Sequence, residues 1–427
     1  MKTDAPHRQP GGNPWIVVIL GFATLAFSFS VRGSLSLAMP LWQADFGWSR
    51  STISAIAAMA MIVMALVAPF AGGLADRYGA RGLLAAGLAA IGIGMALVTM
   101  AVPGVSAYLL PLGFAGVAAI GFGSIAQHVV SAAVAQRFDR NRGLATGIAT
   151  SGSTAGQLAL MPLLAALMAG GDWQRPFMML AIGCFILVPV TLALLRRPPK
   201  RDHPQQDAVE TATADHALGR RIGGLFLNPV FHALLWSFAI CGFTSTGVIE
   251  THLMPYASAC GFGPVPSATA YGLLSGINLL GMITAGYLSD RMHRPLLLAI
   301  IYLMRALSFV LLIYISNNYA LLLVFSVMFG FFDYSTVPVL ASYVASRLGV
   351  GMLGLVMGLL SAGHALGAAA GAWAGGLFFD SYGSYTAVWL MAIAFALLAA
   401  AMVAGLKDRG EGGPSRSGID ERVPVAG

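Results

Sequence analysis

Twelve runs of roughly twenty apolar residues, parted by short polar loops, limit what this 427-residue chain can fold into. A bilayer's hydrocarbon core takes about 20 residues of helix to cross. Runs of that size fall at 15–42, 50–72, 80–102, 106–136, 143–169, 176–196, 230–257, 267–289, 295–316, 319–346, 352–378 and 385–406. The expected fold is an all-α integral membrane protein with twelve transmembrane helices. Composition agrees, because 57% of residues are hydrophobic and 10% charged, whereas a soluble domain of this size exposes far more charge. The opening "MKTDAPHRQPGGNP" is polar, and the run beginning at Trp15 is too long for a signal-peptide core. The run 319–346 is long enough to hold a tilt or a kink at Pro338.

A formal net charge of +7 raises the question of a nucleic-acid partner. Its distribution argues against one. With both termini cytoplasmic, 20 of the 24 Lys and Arg lie inside, only Arg50 and Arg175 lie outside, and Arg32 and Arg305 fall within spans. Such asymmetry is the usual topology signal, and contact with anionic lipid accounts for the cations. Cys184, Cys241 and Cys260 show no metal-ligand spacing and read as small core hydrophobes.

The organisation expected from these runs is a tail at 1–14, a six-helix bundle at 15–197, a cytoplasmic linker at 198–228, a second bundle at 229–406 and a disordered tail at 407–427. Pro, Gln, Asp and Thr dominate the polar stretch between the bundles, as in flexible linkers. The two bundles repeat one another. "GGLADRYGAR" (72–81) matches "GYLSDRMHRP" (286–295), and "MPLWQADFGWS" (39–49) matches "MPYASACGFGP" (254–264). Gly143, Gly147, Gly152 and Gly156 match Gly354, Gly358, Gly363 and Gly367. A duplicated membrane chain of this kind points to a transporter whose halves rock about a site near the midplane. The glycines recur on one helix face, where small residues let helices approach closely.

At "GGLADRYGAR" the chain resembles the loop signature of the major facilitator superfamily, with "GYLSDR" as its degenerate second copy. "FGWSRSTIS" (46–54), "RGLATGIATSGSTAGQ" (142–157) and "GLFFDSYGSY" (376–385) resemble the monocarboxylate-transporter-like branch, the bacterial members in particular. The resemblance runs from about Trp15 to Tyr385. It implies the major facilitator fold, two pseudo-symmetric six-helix bundles, in a bacterial inner membrane. It also implies a gating loop in which Asp76, with Arg77 and Arg81 nearby, caps the start of span 11 at 348–354 and holds the outward-open state. A carboxylate suits the free amides and positive dipole of a helix start. Asp290 and Arg291 are the weaker mirror copy, since His293 and Pro295 replace a glycine and a basic residue of the signature.

Ionisable groups inside spans are costly and by default face protein or water. Arg32 lies 17 residues beyond Trp15, or about 26 Å along a helix. Snorkelling to the outer surface is one reading of it. The other is a planar fork for a carboxylate, and the resemblance favours it, because animal monocarboxylate carriers place a lysine near this position. Those carriers also carry an acid and an arginine on span 8, where "SATAYGLLSGINLLGMITAG" (267–286) has no charge. Arg305 then either supplies the missing cation or pairs structurally with Asp333, whose depth differs by about 5 Å at helical rise.

Gln127 (beside His128), Gln157 and His364 join Arg32 and Arg305 as candidate substrate-binding residues. Candidates for proton coupling are Asp333, His364, Glu250 and His252, a histidine being the group that titrates near neutrality. By the repeat Glu250 aligns with Leu35, one turn beyond Arg32, and is a candidate partner for it across the pseudo-twofold axis.

The expected function is secondary transport of a small organic anion, a monocarboxylate, by alternating access, with or without a proton, by a monomer in the lipid bilayer. An exporter of amphipathic drugs or metabolites in the same fold is the first alternative, and a non-transporting sensor the second. Neither G-x-x-x-x-G-K-[ST] nor H-E-x-x-H nor G-x-S-x-G is present, so neither ATP drive nor an enzyme is expected, and no cofactor or metal is expected.

Overall fold

A computed structural model of the chain describes residues 13–78, 80–135, 137–138, 142–195, 223–289, 291–348 and 353–408. Among them, twelve helices are long and apolar enough to cross a membrane. In the first half these are α1 Trp15–Phe46, α2 Arg50–Ala68, α3 Ala80–Thr99, α4 Leu109–Ser131, α5 Ala145–Met168 and α6 Gln174–Leu194. In the second they are α7 Pro229–Ala259, α8 Pro264–Ser289, α9 Arg294–Tyr314, α10 Tyr319–Leu348, α11 Val356–Tyr382 and α12 Thr386–Ala404. The α2 helix continues past the membrane segment to Tyr78. In hydrocarbon every backbone N–H and C=O must be paired within the protein, which a helix achieves segment by segment. No strand occurs among the described residues. Most of the expected linker and of both tails lies outside those residues.

Helix ends follow local chemistry. Asn228 accepts from the Val230 amide with Pro229 in the first turn of α7, and Asn318 accepts from the Leu321 amide to start α10, both ordinary N-caps. Gly47 closes α1 at φ 65°, donating to the Gln43 carbonyl in a conformation that favours glycine.

The duplication is visible in the packing. On α5, Gly152 abuts the Phe22 backbone of α1 and Gly156 abuts Ala26. On α11, Gly363 meets Leu235 of α7 and Gly367 meets the Ala239 backbone. A side chain on any of these glycines would overlap its neighbour, so the small residues set the helix spacing. The halves meet along two pseudo-equivalent seams, α2 with α11 and α5 with α8.

Among the described residues, α2 and α11 pack closely at one end of their seam and open at its middle. From Ile53 to Met61, seven of nine α2 residues are buried, whereas every residue from Ile62 to Ala68 is at least partly exposed. On α11, Ala368, Ala369, Gly371, Ala372, Gly375 and Gly376 are buried, while Ser361 to Gly367 are all at least partly exposed. Gly147 of α5 and Gly358 of α11, near the helix ends on the side of the termini, face open space. The halves are therefore packed together on the side away from the termini, here called the far side, and splay apart on the other.

Several spans depart from simple helix, and two of the departures bear on the charged residues. The α10 span is interrupted by a turn at Tyr334–Ser335 between helical pieces Tyr319–Asp333 and Thr336–Leu348. The expected kink at Pro338 thus falls one turn earlier, because a proline ring clashes with the carbonyl four residues before it, here that of Tyr334. In α7, residues Phe243–Glu250 form a wider helix with i→i+5 bonding, a deviation often found at functional sites.

Candidate functional site

The widened part of α7 ends on Glu250, and Glu250 meets Arg32. The Arg32 guanidinium donates from Nη2 to Glu250 Oε2 at 2.9 Å, with the two side chains only 15% and 11% exposed. The cation also stands 4.3 Å from the centre of the Phe29 ring, one helical turn back on α1. The other Glu250 oxygen accepts from Tyr334 Oη at 2.8 Å and from Thr246 Oγ1 at 3.2 Å. Tyr334 reaches the acid from the break in α10, and Thr246 lies one turn back within the widened helix. A buried charge is tolerated only when paired and hydrogen-bonded. Each charge here has the other, and the carboxylate's two oxygens are both engaged.

Arg32 and Glu250 line a cavity between α1, α2, α4 and α7. Its polar wall adds Ser36, Thr246 and Thr251, and its apolar wall includes Met61, Met64 and Phe114. Close by, the Tyr271 hydroxyl of α8 lies against Gly33 of α1. Gln157 of α5 donates to that hydroxyl at 3.0 Å and accepts from Ser275 of α8 at 3.0 Å. Gln157 therefore ties the halves together along the α5–α8 seam. Gln127 donates to Ser153 at 2.9 Å within the first half. The His364 ring packs on Phe238 at 4.7 Å and makes no hydrogen bond to a described residue.

Arg305 is fully buried inside the second half. Its Nη1 donates to Cys241 Sγ at 3.0 Å and Thr244 Oγ1 at 3.3 Å. Its Nη2 donates to the carbonyls of Phe332 and Asp333, and lies 3.6 Å from Asp333 Oδ1. The guanidinium thus serves the carbonyls released where α10 breaks, at the negative end of a helix dipole. Asn278 supports the same break, donating to Asp333 Oδ2 at 3.4 Å and accepting from the Tyr334 amide at 2.9 Å. Removing one partner of a buried ion pair costs about 3–5 kcal/mol. Arg305→Met is accordingly expected to melt several degrees below the wild type in detergent, with part of the loss recovered by adding Asp333→Asn.

His252 sits apart from the Arg32 site. Its Nε2 faces the Ala372 carbonyl at 2.7 Å and its Nδ1 faces the Tyr385 hydroxyl at 3.1 Å. A carbonyl can only accept, so Nε2 carries the proton, and a neutral ring then accepts from Tyr385. Arg291 stacks on Tyr287 at 3.7 Å, and Arg81 stands half-buried in the first turn of α3. The side chains of Asp76, Arg77 and His128, all of Asp290, and the start of the 348–354 stretch beyond Leu348 lie outside the described residues.

Tyr334, Thr246, Phe29 and Tyr271 were not singled out by sequence. The nearest signal is the polar triplet Thr244–Ser245–Thr246 ahead of Glu250 in an apolar span.

Twelve spans in two repeated halves around a charged central cavity define a membrane transporter fold, and solved structures share it. A D-xylose–proton symporter superposes with a TM-score of 0.74 at 15% identity, covering 93% of this chain and 98% of its own. The nucleoside transporter NupG, solved as a point mutant, gives 0.76 at 14% identity over 91% and 98%. The sequence pattern of the Major Facilitator Superfamily matches residues 19–304 and 279–427, and the chain belongs to that family. Its curated relatives include the uncharacterized MFS-type transporter YcxA of Bacillus subtilis, 27% identical over 90% of this chain and 93% of that protein. Monocarboxylate transporter 13 of Rattus norvegicus is 25% identical over 93% and 89%, and monocarboxylate transporter 11 of Homo sapiens is 27% identical over 91% and 82%. These are transporters, not enzymes.

Proposed function

We propose that the protein is a proton-coupled transporter of a monocarboxylate, working by alternating access in a bacterial inner membrane with both termini cytoplasmic. The basic residues support that orientation, which makes the closed far side periplasmic and the open side cytoplasmic. The observation that carries the proposal is the Arg32–Glu250 pair at the cavity wall.

A carboxylate cargo is chemically a second Glu250. To reach the guanidinium it must displace the resident acid, and Glu250 left ionised without a cation would be a buried, uncompensated charge. A proton removes that cost. Protonated Glu250 keeps its contacts with Tyr334 and Thr246 and frees Arg32 for the cargo. The wall then holds one cation and one anion whether empty (Arg32 with Glu250) or loaded (Arg32 with cargo), so the buried net charge does not change. That equality couples one proton to one anion without any further titrating group. Among the described residues, Tyr271, Tyr334, Asp333 and His364 are ionisable groups around the pair. The apolar wall of Met61, Met64 and Phe114 suits the non-carboxylate end of the cargo, which keeps amphipathic acids within the reading.

In proteoliposomes, an inward proton gradient is expected to drive accumulation of a bound carboxylate, and uptake at equal pH on both faces should rise as pH falls. The first step is a thermal-shift screen of the purified protein against small carboxylates. Stabilisation by organic cations in place of acids would reject the proposal in favour of a drug exporter.

A further inference from the structure

The far end of the α2–α11 seam has its own chemistry, separate from the cargo site. Asp380, at the far end of α11, accepts from the Arg50 amide at 3.1 Å with Oδ1 and from the Ser51 amide at 2.7 Å with Oδ2. These are the first two N–H groups of α2, which no helix can satisfy internally. The third is taken locally, with Ser49 Oγ accepting from the Thr52 amide at 3.2 Å. The start of α2 is therefore capped in part by its own chain and in part by a residue 330 positions away in the other half.

Arg50 strengthens the contact. Its guanidinium lies 3.6 Å from the centre of the Phe379 ring. It donates from Nη1 to Tyr385 Oη at 2.9 Å and from Nε to Gln43 at 2.9 Å. Only 8% of Arg50 is exposed, although it begins a helix at the membrane surface. Tyr385 passes the contact on to His252 of α7, so one cation reaches three elements of the second half. Between these groups, Gly376 of α11 packs on the Arg50–Ser51 backbone and on Ser54, where any larger residue would hold the helices apart.

We propose that Asp380 and Arg50 form the latch of the far gate, Asp380 capping α2 only while the two halves are closed on that side. When the far side opens, α2 loses two of its caps and Arg50 loses its aromatic cradle, so the contact stabilises the present state over the alternative. A carboxylate accepting two amides also complements the helix dipole.

The test reads gate opening directly and needs no cargo, so its failure is distinct from failure of the transport proposal. Leu35 lines the cavity just inside the gate and is 2% exposed. A Leu35→Cys, Cys260→Ser protein in sealed vesicles is treated with a membrane-impermeant maleimide confined to the face away from the termini. Adding Asp380→Ala is expected to speed labelling by on the order of tenfold, the equivalent of one net charge-assisted hydrogen bond. Asp380→Asn, which keeps one acceptor, should fall between the two. A rate unchanged by Asp380→Ala, while Arg50→Ala or Gly376→Leu raises it, would overturn the role of Asp380. Unchanged labelling in all three variants would overturn the latch altogether.

Discussion

Arg32→Gln is expected to abolish carboxylate-dependent thermal stabilisation and uptake. Losing the cation of a buried charge pair costs about 2–5 kcal/mol, and each 1.4 kcal/mol is tenfold in affinity. A drop of about 30-fold or more therefore follows for any acid that binds through the guanidinium. The single variant also strands Glu250, so it should melt earlier than the wild type. Pairing it with Glu250→Gln removes that stranded charge, and the double variant is expected to regain stability while binding no acid. That contrast separates a ligand group from a structural anchor. Arg32→Lys keeps the charge but not the planar fork, and should bind weakly. Equal stabilisation of wild type and Arg32→Gln by the same acid would exclude Arg32 from cargo binding.

Glu250→Gln is expected to have the second large effect, of a different kind. Glutamine mimics the protonated acid in shape and can still accept from Tyr334 and Thr246. Arg32 is then permanently free, so the variant should bind carboxylates at least as tightly as the wild type at neutral pH. Its binding should also lose the wild type's gain on acidification. The sign follows from the competition: the resident carboxylate opposes cargo when ionised and yields when protonated, so only the wild type binds better at lower pH. An empty carrier with an unpaired Arg32 carries a buried net charge, which should stall its return. Exchange of labelled for unlabelled acid is therefore expected to persist while gradient-driven accumulation fails. A Glu250→Gln protein that still accumulates acid on a proton gradient would move the coupling to another group, with Asp333 and His364 next in line.

The twelve spans were legible because hydrocarbon leaves a chain few options, and a run of apolar residues is read locally. The repeat was legible because both halves keep their glycines at one offset, and Gly156 and Gly367 occupy matching contacts in the two bundles. Pair partners were harder. The repeat brings Glu250 to the level of Leu35, which is near enough to suggest Arg32, but it carries no sign of Tyr334. That hydroxyl arrives only because Pro338 interrupts α10 one turn below it. Gln157 reads equally well in sequence as a cargo ligand, yet its amide is spent on Tyr271 and Ser275 across the seam. Asp380 gave no signal beyond belonging to a family-like stretch, since its partners are backbone amides and any residue could supply them. Contacts made by backbone, or created by a bend elsewhere, leave little trace in composition or spacing.

The broken α10 also bears on how the two charge clusters communicate. Arg305 fastens the loose carbonyls on one side of the turn, and Tyr334 leans from the same turn toward Glu250. The two contacts share one turn of the chain, so a substitution that displaces the buried guanidinium is expected to shift the phenol that grips the acid. Substitutions around Arg305, remote from any cargo, become natural tuning points for how readily that acid lets go.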